Sequence, residues 1–250
     1  MQTSTGVLEF VPDPDRSNAW LIKVNGALSS HVDLDEPRYL DFEYMQWLAR
    51  ALDVEPDRPG GLRVVHLGGG GCTLPRYLMA TRPTAQQTVV EVDPTVVREV
   101  SRAFGLAGRP ELRMVVADAL DGLRALPTAS QDVVVRDVFA RSVVPPHVSD
   151  AAFHAEVRRV LRRPGRYLAN IIDEAPFPLA GDEIGHLDDR WASVSVVVED
   201  DVAAGVKGNL VVVAGDAPAV PELAGLLAEC PAPARLWTSA AALLEQVLHA

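Results

Sequence analysis

The chain has 250 residues, 48% of them hydrophobic, with 34 acidic against 23 basic side chains and a formal net charge of −11. That length accommodates one sizeable α/β domain plus a small extension, and the acidic balance argues against nucleic acid or an anionic membrane surface as a partner. No apolar run reaches a membrane span and the start, MQTSTGVLEF, lacks a signal-peptide pattern, so a cytoplasmic location is expected.

Residues 1–38 read as a β extension. Two extended pieces, 7–11 and 19–24, flank the turn-rich PDPDRSN. They are too short to bury much alone and should pair as a hairpin with the main domain or with the partner subunit of a homodimer. A helix follows with Leu40, Tyr44, Leu48 and Leu52 at fourfold spacing; Trp47 and Tyr39 are read as packing residues rather than an acceptor entrance. Residues 39–250 then alternate strand and helix. VVHLGGGGCTLPRYL (64–78) carries an apolar strand into four glycines, Gly68 to Gly71, and out into a helix. Glycine lets the backbone take positive φ and approach a ligand closely, and the helix behind it offers free N–H groups. QTVVEVDP (87–94) ends on Glu91 and Asp93, LRMVVAD (112–118) on Asp118, and QDVVVRD (131–137) on Asp137. Helical segments at 94–104, 120–126 and 151–161 separate these runs, a pattern that predicts a parallel, doubly wound sheet with its ligand crevice at the strand carboxyl ends. A fifth run, YLANII (167–172), leads to Asp173 and Glu174, read as a solvated loop with the acceptor pocket as the alternative. ASVSVVVED (192–200) and LVVVAG form an antiparallel pair closing the sheet, and the tail ends in a helix carrying Leu243, Leu244 and Val247.

The glycine turn does not suit phosphate. A G-x-G-x-x-G fingerprint would need glycine where Thr73 stands, GK[ST] is absent, and Arg76 is the nearest cation. Acids around a glycine turn favour a neutral nucleoside or a sulfonium, so an adenosylmethionine-type donor is preferred over NAD or ATP. Glu91 is placed to accept from a ribose diol, whereas Asp93 and Asp118 have capping of the following helix as an equal alternative. Cys72 and Cys230 have no metal-ligand spacing and the six histidines are scattered, so no metal site is expected. Cys72 is read as a packing residue and His66 as a satisfied interior side chain.

These segments, with ADALDGL (117–123), DVVVRDVFARSVVPPHVSDAAFHAEVRRVLRRPG (132–165), the N-terminal stretch 20–52 and VKGNLVVVAG (206–215), resemble the spermidine synthase-like branch of the class I adenosylmethionine-dependent transferases. The resemblance implies a seven-stranded, mostly parallel sheet. It implies donor contacts from Gly68, Gly69, Gly70, Gly71, Glu91, Asp118 and Ala119, with Glu91 on the ribose, Asp118 near the adenine amino group and Asp137 facing the transfer site. It implies S-adenosylmethionine or its decarboxylated form as donor substrate, and an amine as acceptor. The chain also departs from the family. Gly71 stands where the loop usually carries aspartate, Ala140 replaces the second aspartate after strand four, Ser29 falls on a glutamine, and Asp41-Phe42-Glu43 falls on Tyr-His-Glu. A partly buried ammonium without its carboxylate costs about 3 kcal/mol or more, roughly a hundredfold in affinity. Efficient putrescine aminopropylation is therefore not expected. The carboxylate of intact adenosylmethionine would instead lie on loop amides near Gly69–Cys72. Aminopropyl transfer, methyl transfer and a catalytically silent adenosyl-binding protein stay open, with an NAD-dependent oxidoreductase as a further rival. Asp137 is the first candidate base and His147 the second, since imidazole titrates near neutrality.

Overall fold

The structure is a computed structural model that describes residues 1–140, 143–188, 190–217, 221–232 and 234–239. The predicted tail helix with Leu243, Leu244 and Val247 lies outside the described residues. The chain opens with β1 (Leu8–Pro12), β2 (Ala19–Val24) and β3 (Ala27–Asp33), an antiparallel sheet of three strands rather than the expected hairpin. Asn25 and Gly26 both have positive φ and join β2 to β3 as a two-residue turn, pairing Val24 with Ala27. Asn-Gly is the strongest short-range sequence signal for such a turn.

The main body runs α1 (Glu43–Asp53), β4 (Arg63–Leu67), α2 (Thr73–Thr81), β5 (Gln86–Glu91), α3 (Pro94–Ala103), β6 (Leu112–Val116), α4 (Ala119–Arg124) and β7 (Gln131–Arg136). A short 3₁₀ turn (Pro146–Val148) precedes α5 (Ala151–Val160), β8 (Leu161–Asp173), α6 (Pro178–Asp188), β9 (Ser193–Val198), α7 (Asp200–Ala203), β10 (Gly208–Gly215), α8 (Pro221–Ala228) and β11 (Arg235–Trp237). The sheet order is β11-β9-β10-β8-β7-β4-β5-β6. Strands β4 to β8 pair in parallel, and β10 is antiparallel to both β8 and β9 as expected. The eighth strand, one more than the resemblance implied, is the three-residue β11 at the edge.

Both faces of the sheet are covered, which is why its strands read as valine runs rather than as alternating patterns. Val65, Leu67, Val134 and Tyr167 pack beneath Phe153 and Val157 of α5, while Val64, Val133 and Val135 face Trp47, Leu48 and Leu52 of α1. Strand β4 has β5 on one side and β7 on the other, so the winding reverses there and opens the crevice at its carboxyl end. Among the described residues, no helix is long and apolar enough to cross a membrane.

The N-terminal sheet packs on this body. Leu8, Ile22 and Val32 join Cys72, Val89, Val96 and Phe104 in one apolar cluster. Asp93 caps α3 through the Thr95 amide (2.8 Å) and takes Ser4 Oγ (2.8 Å) and the Thr5 amide and hydroxyl (both 2.9 Å) on its other oxygen. Burial opposes the charge on Asp93, yet these donors together hold its carboxyl well below the usual range.

Buried His66, 2.9 Å from Gln87 Oε1, is driven down to about 4 by burial. Its folded pKa lies below the unfolded one, so its contribution is present above pH ~6.5 and lost as pH falls toward 4, a change of about 3 kcal/mol. Urea unfolding at neutral and acid pH should show this loss, and His66→Gln should reduce it.

Candidate functional site

Local backbone geometry explains the tetraglycine. Gly68 has φ +90°, and a Cβ there would lie 2.2 Å from the Asp137 carbonyl oxygen. The turn and the end of β7 therefore touch backbone to backbone. At Gly71 a Cβ would lie 2.4 Å from Ile22 Cδ1 and 2.8 Å from Val32 Cγ2. The N-terminal sheet thus occupies the space that a loop aspartate would need. Gly71 N donates to Ser30 Oγ at 2.9 Å, and Thr73 Oγ1 donates to the His31 carbonyl at 2.7 Å.

The loop amides are already engaged. Gly69 N donates to Glu91 Oε2 at 2.8 Å, Gly70 N does so at 3.4 Å, and Cys72 N donates to Gly69 O at 2.8 Å. The expected seat for a donor carboxylate on the Gly69–Cys72 amides is therefore not free. The remaining Glu91 oxygen accepts from the Asp93 amide at 3.0 Å, fixing the carboxylate beside the turn. Val92, next in the chain, is 54% exposed, and Val116 at the end of β6 is 50% exposed. These two apolar faces at neighbouring strand ends were not singled out from the sequence. The signal was the step that puts Glu91 toward the turn and its neighbour outward.

Asp118 caps α4 through the Leu120 amide at 2.9 Å, and its other oxygen lies 2.8 Å from His147 Nε2. Burial works against the Asp118 charge, but His147 and the amides hold its carboxyl below the ordinary range. The side chains of Asp118 and His147 are 37% and 49% exposed, whereas Ala119, the first residue of α4, is buried.

Asp137 has different company. Tyr44 Oη donates to its Oδ2 at 3.1 Å and Asn170 Nδ2 to its Oδ1 at 2.9 Å, and Asn209 Nδ2 donates to Asn170 Oδ1 at 2.9 Å. Burial pushes the Asp137 carboxyl up, partly offset by Asn170, Tyr44 and the neighbouring Arg136. The same burial, with the Asp137 charge, drives the Tyr44 hydroxyl well above its ordinary value. On the opposite face Arg136 is buried against Tyr167 and Glu183 and anchors the end of β7. The fourfold spacing of α1 predicts Tyr44 only as one member of an apolar stripe, and Asn170 does not stand out in the sequence as a site residue. A lone amide inside the run YLANII was the available signal.

The predicted residues thus fall into three groups: the glycines with Glu91, Asp118 with His147, and Asp137 with Tyr44 and Asn170. Between β6 and β7 lie three strand spacings, about 14 Å, so His147 sits far from Asp137. Asp173 is buried rather than solvated and accepts from the Glu174 amide and from the amides of Leu179 and Ala180 at the start of α6, whereas Glu174 is exposed as a loop residue. Cys72 is buried, and burial first, then Glu91, pushes its thiol up to about 12, in keeping with packing. Among the described residues, no group of acids, cysteines and histidines is arranged to hold a metal ion.

A probable spermidine synthase from Corynebacterium glutamicum ATCC 13032 matches with a TM-score of 0.89 and 29% identity, over 98% of this chain and 91% of that one. This chain is thus similar to a probable spermidine synthase along nearly its whole length. Human methyltransferase-like protein 13, solved with SAH, superposes over 84% of this chain and 93% of that one with a TM-score of 0.61 and 21% identity, and so shares the fold. Among curated proteins, mouse eEF1A lysine and N-terminal methyltransferase is 29% identical over 125 residues, which is 46% of this chain but 18% of that protein. The polyamine aminopropyltransferase of Vibrio vulnificus (strain CMCP6) is 26% identical over 131 residues, 52% of this chain and 43% of its own length. No protein-family model matches.

Proposed function

We propose that this chain is a transferase that moves an alkyl group from an adenosylmethionine-type donor to a small amine. The observation that carries the reading is Glu91, a carboxylate tied to the Gly69 amide beside a side-chain-free turn at the sheet's switch point. An adenosyl group fits what surrounds it. Glu91 keeps lone pairs for the ribose hydroxyls, Val92 offers an apolar face to the adenine, and Asp118 and Ala119 lie one strand further along the crevice. Arg76, the nearest cation in sequence, donates to the Phe104 carbonyl at 3.1 Å rather than to the turn, which leaves the site unsuited to phosphate. The two curated relatives are named for chemistry at amines, lysine and N-terminal in one and polyamine in the other, which supports an amine acceptor.

When bound, such a donor supplies a carbon on a sulfonium; the acceptor lone pair bonds to it while the C–S electron pair stays with sulfur. Asp137, beside the turn, holds the amine and takes the proton that the new ammonium must lose. Tyr44 and Asn170 keep both of its oxygens directed. Asp137→Asn should lower kcat by roughly 10²- to 10⁴-fold with the Kd of methylthioadenosine unchanged, measured by turnover and calorimetry. His147→Ala should leave kcat within about threefold, because the side chain is paired at the adenine end of the crevice rather than at the base; a loss as large as that of Asp137→Asn would return His147 to the chemistry.

Donor choice follows from the loop. Neither a carboxylate at residue 71 nor free loop amides are on hand for the tail, so the adenosine half carries recognition. Methylthioadenosine and adenosylhomocysteine should raise the melting temperature at least as much as decarboxylated adenosylmethionine. A clear preference for the decarboxylated donor would point to aminopropyl transfer instead. Homodimerisation through the N-terminal sheet, where Val7 and Leu28 remain exposed, and a cytoplasmic location belong to the same reading; light scattering tests the former.

A further inference from the structure

The carboxyl edge of the sheet continues past Asp137 over β8 and the start of β10. There a groove of about 300 Å³ opens, lined by Ile172, Glu174, Ala175, Pro178, Leu179 and Lys207 among others. Ile172 lies opposite Asn209 in the β8–β10 register and two residues beyond Asn170. The groove therefore begins about 7 Å, two strand residues, from the amide that holds Asp137. Its wall is apolar, with Leu179 45% exposed. Its charges are few. Asp173 is occupied by three backbone amides. Glu174 stands exposed on the rim. Lys207, one of two lysines in an acidic chain, forms no ion pair with any described residue.

We infer that this groove is the acceptor subsite and that its occupant is an amino compound bearing a carboxylate, with the amine at Asp137 and the carboxylate at Lys207. The inference rests on the transferase reading above and names its acceptor class. A diamine would bring a second ammonium to Lys207, and Ala140 offers it no carboxylate on the Asp137 side. Glu174 lines the same groove as Lys207, with Asp173 held by backbone amides, so Glu174 and Lys207 set the preference between them.

The test compares 4-aminobutyrate with putrescine, which differ mainly in one terminal charge, by calorimetry on the full chain with and without methylthioadenosine. The carboxylate probe should bind roughly fivefold more tightly, the scale of one exposed ion pair. Lys207→Glu should reverse that order with an unchanged circular dichroism spectrum, and Glu174→Gln should favour the carboxylate probe further. Tighter putrescine binding to the unmodified chain, an order insensitive to Lys207→Glu, or no binding of either probe overturns the inference. Failure of the donor reading looks different, because methylthioadenosine then fails to bind while the probes still report on the groove.

Discussion

Glu91→Ala is expected to weaken methylthioadenosine and adenosylhomocysteine alike, by about 1.5–3 kcal/mol, or roughly 10- to 150-fold in Kd. Charge-assisted hydrogen bonds to a ribose diol account for that scale. Both ligands should lose equally, because the contact is to the sugar they share. The substitution also releases the Gly69 and Asp93 amides, for which alanine offers no side-chain acceptor. Glu91→Gln separates the two effects. It keeps an oxygen for the Gly69 amide and should fall between the parent and Glu91→Ala. Calorimetry with both ligands measures this; an unchanged Kd in Glu91→Ala would remove the ribose from this carboxylate.

Gly71→Asp is expected to destabilise the protein rather than restore use of the decarboxylated donor. The new Cβ would press on Ile22 and Val32, and the carboxylate would enter an apolar contact between the turn and the N-terminal sheet. Overpacking of this kind costs about 1–3 kcal/mol and an unpaired buried charge adds to it. At about 3 kcal/mol, a chain of this size should melt roughly 6–12 °C lower. Gly71→Ala should show the steric part alone. Unchanged melting together with tighter binding of the decarboxylated donor would mean that the N-terminal sheet yields, and the family's loop acid could then be accommodated here.

The two expectations differ in how far they were legible. Glycine run, Val-rich strands and terminal acids are local patterns, and each one fell where the alternation placed it. The third N-terminal strand is also a local feature, written in the Asn25–Gly26 turn, a second turn signal after PDPDRSN. Asp118 was read with helix capping as an even alternative, and it does cap α4. Asp173 is not solvated but closes the start of α6, since a strand–loop–helix passage leaves several amides in need of an acceptor, while it still lines the groove beyond Asp137.

By itself the amino-acid order determined the doubly wound sheet, its switch point at the glycines, and the set of acids lining the carboxyl edge. These follow from side-chain period and backbone freedom within a few residues. Only the tertiary structure decided which partner each acid holds. Asp137 meets Tyr44 across 93 residues, and Gly71 meets Ser30 across 41. Such pairings depend on how sheets and helices stack, and stacking is set by the shapes of whole faces rather than by any neighbouring residues. For that reason Gly71 looked like a lost acid in the sequence, and in three dimensions is the place where a second sheet comes to rest.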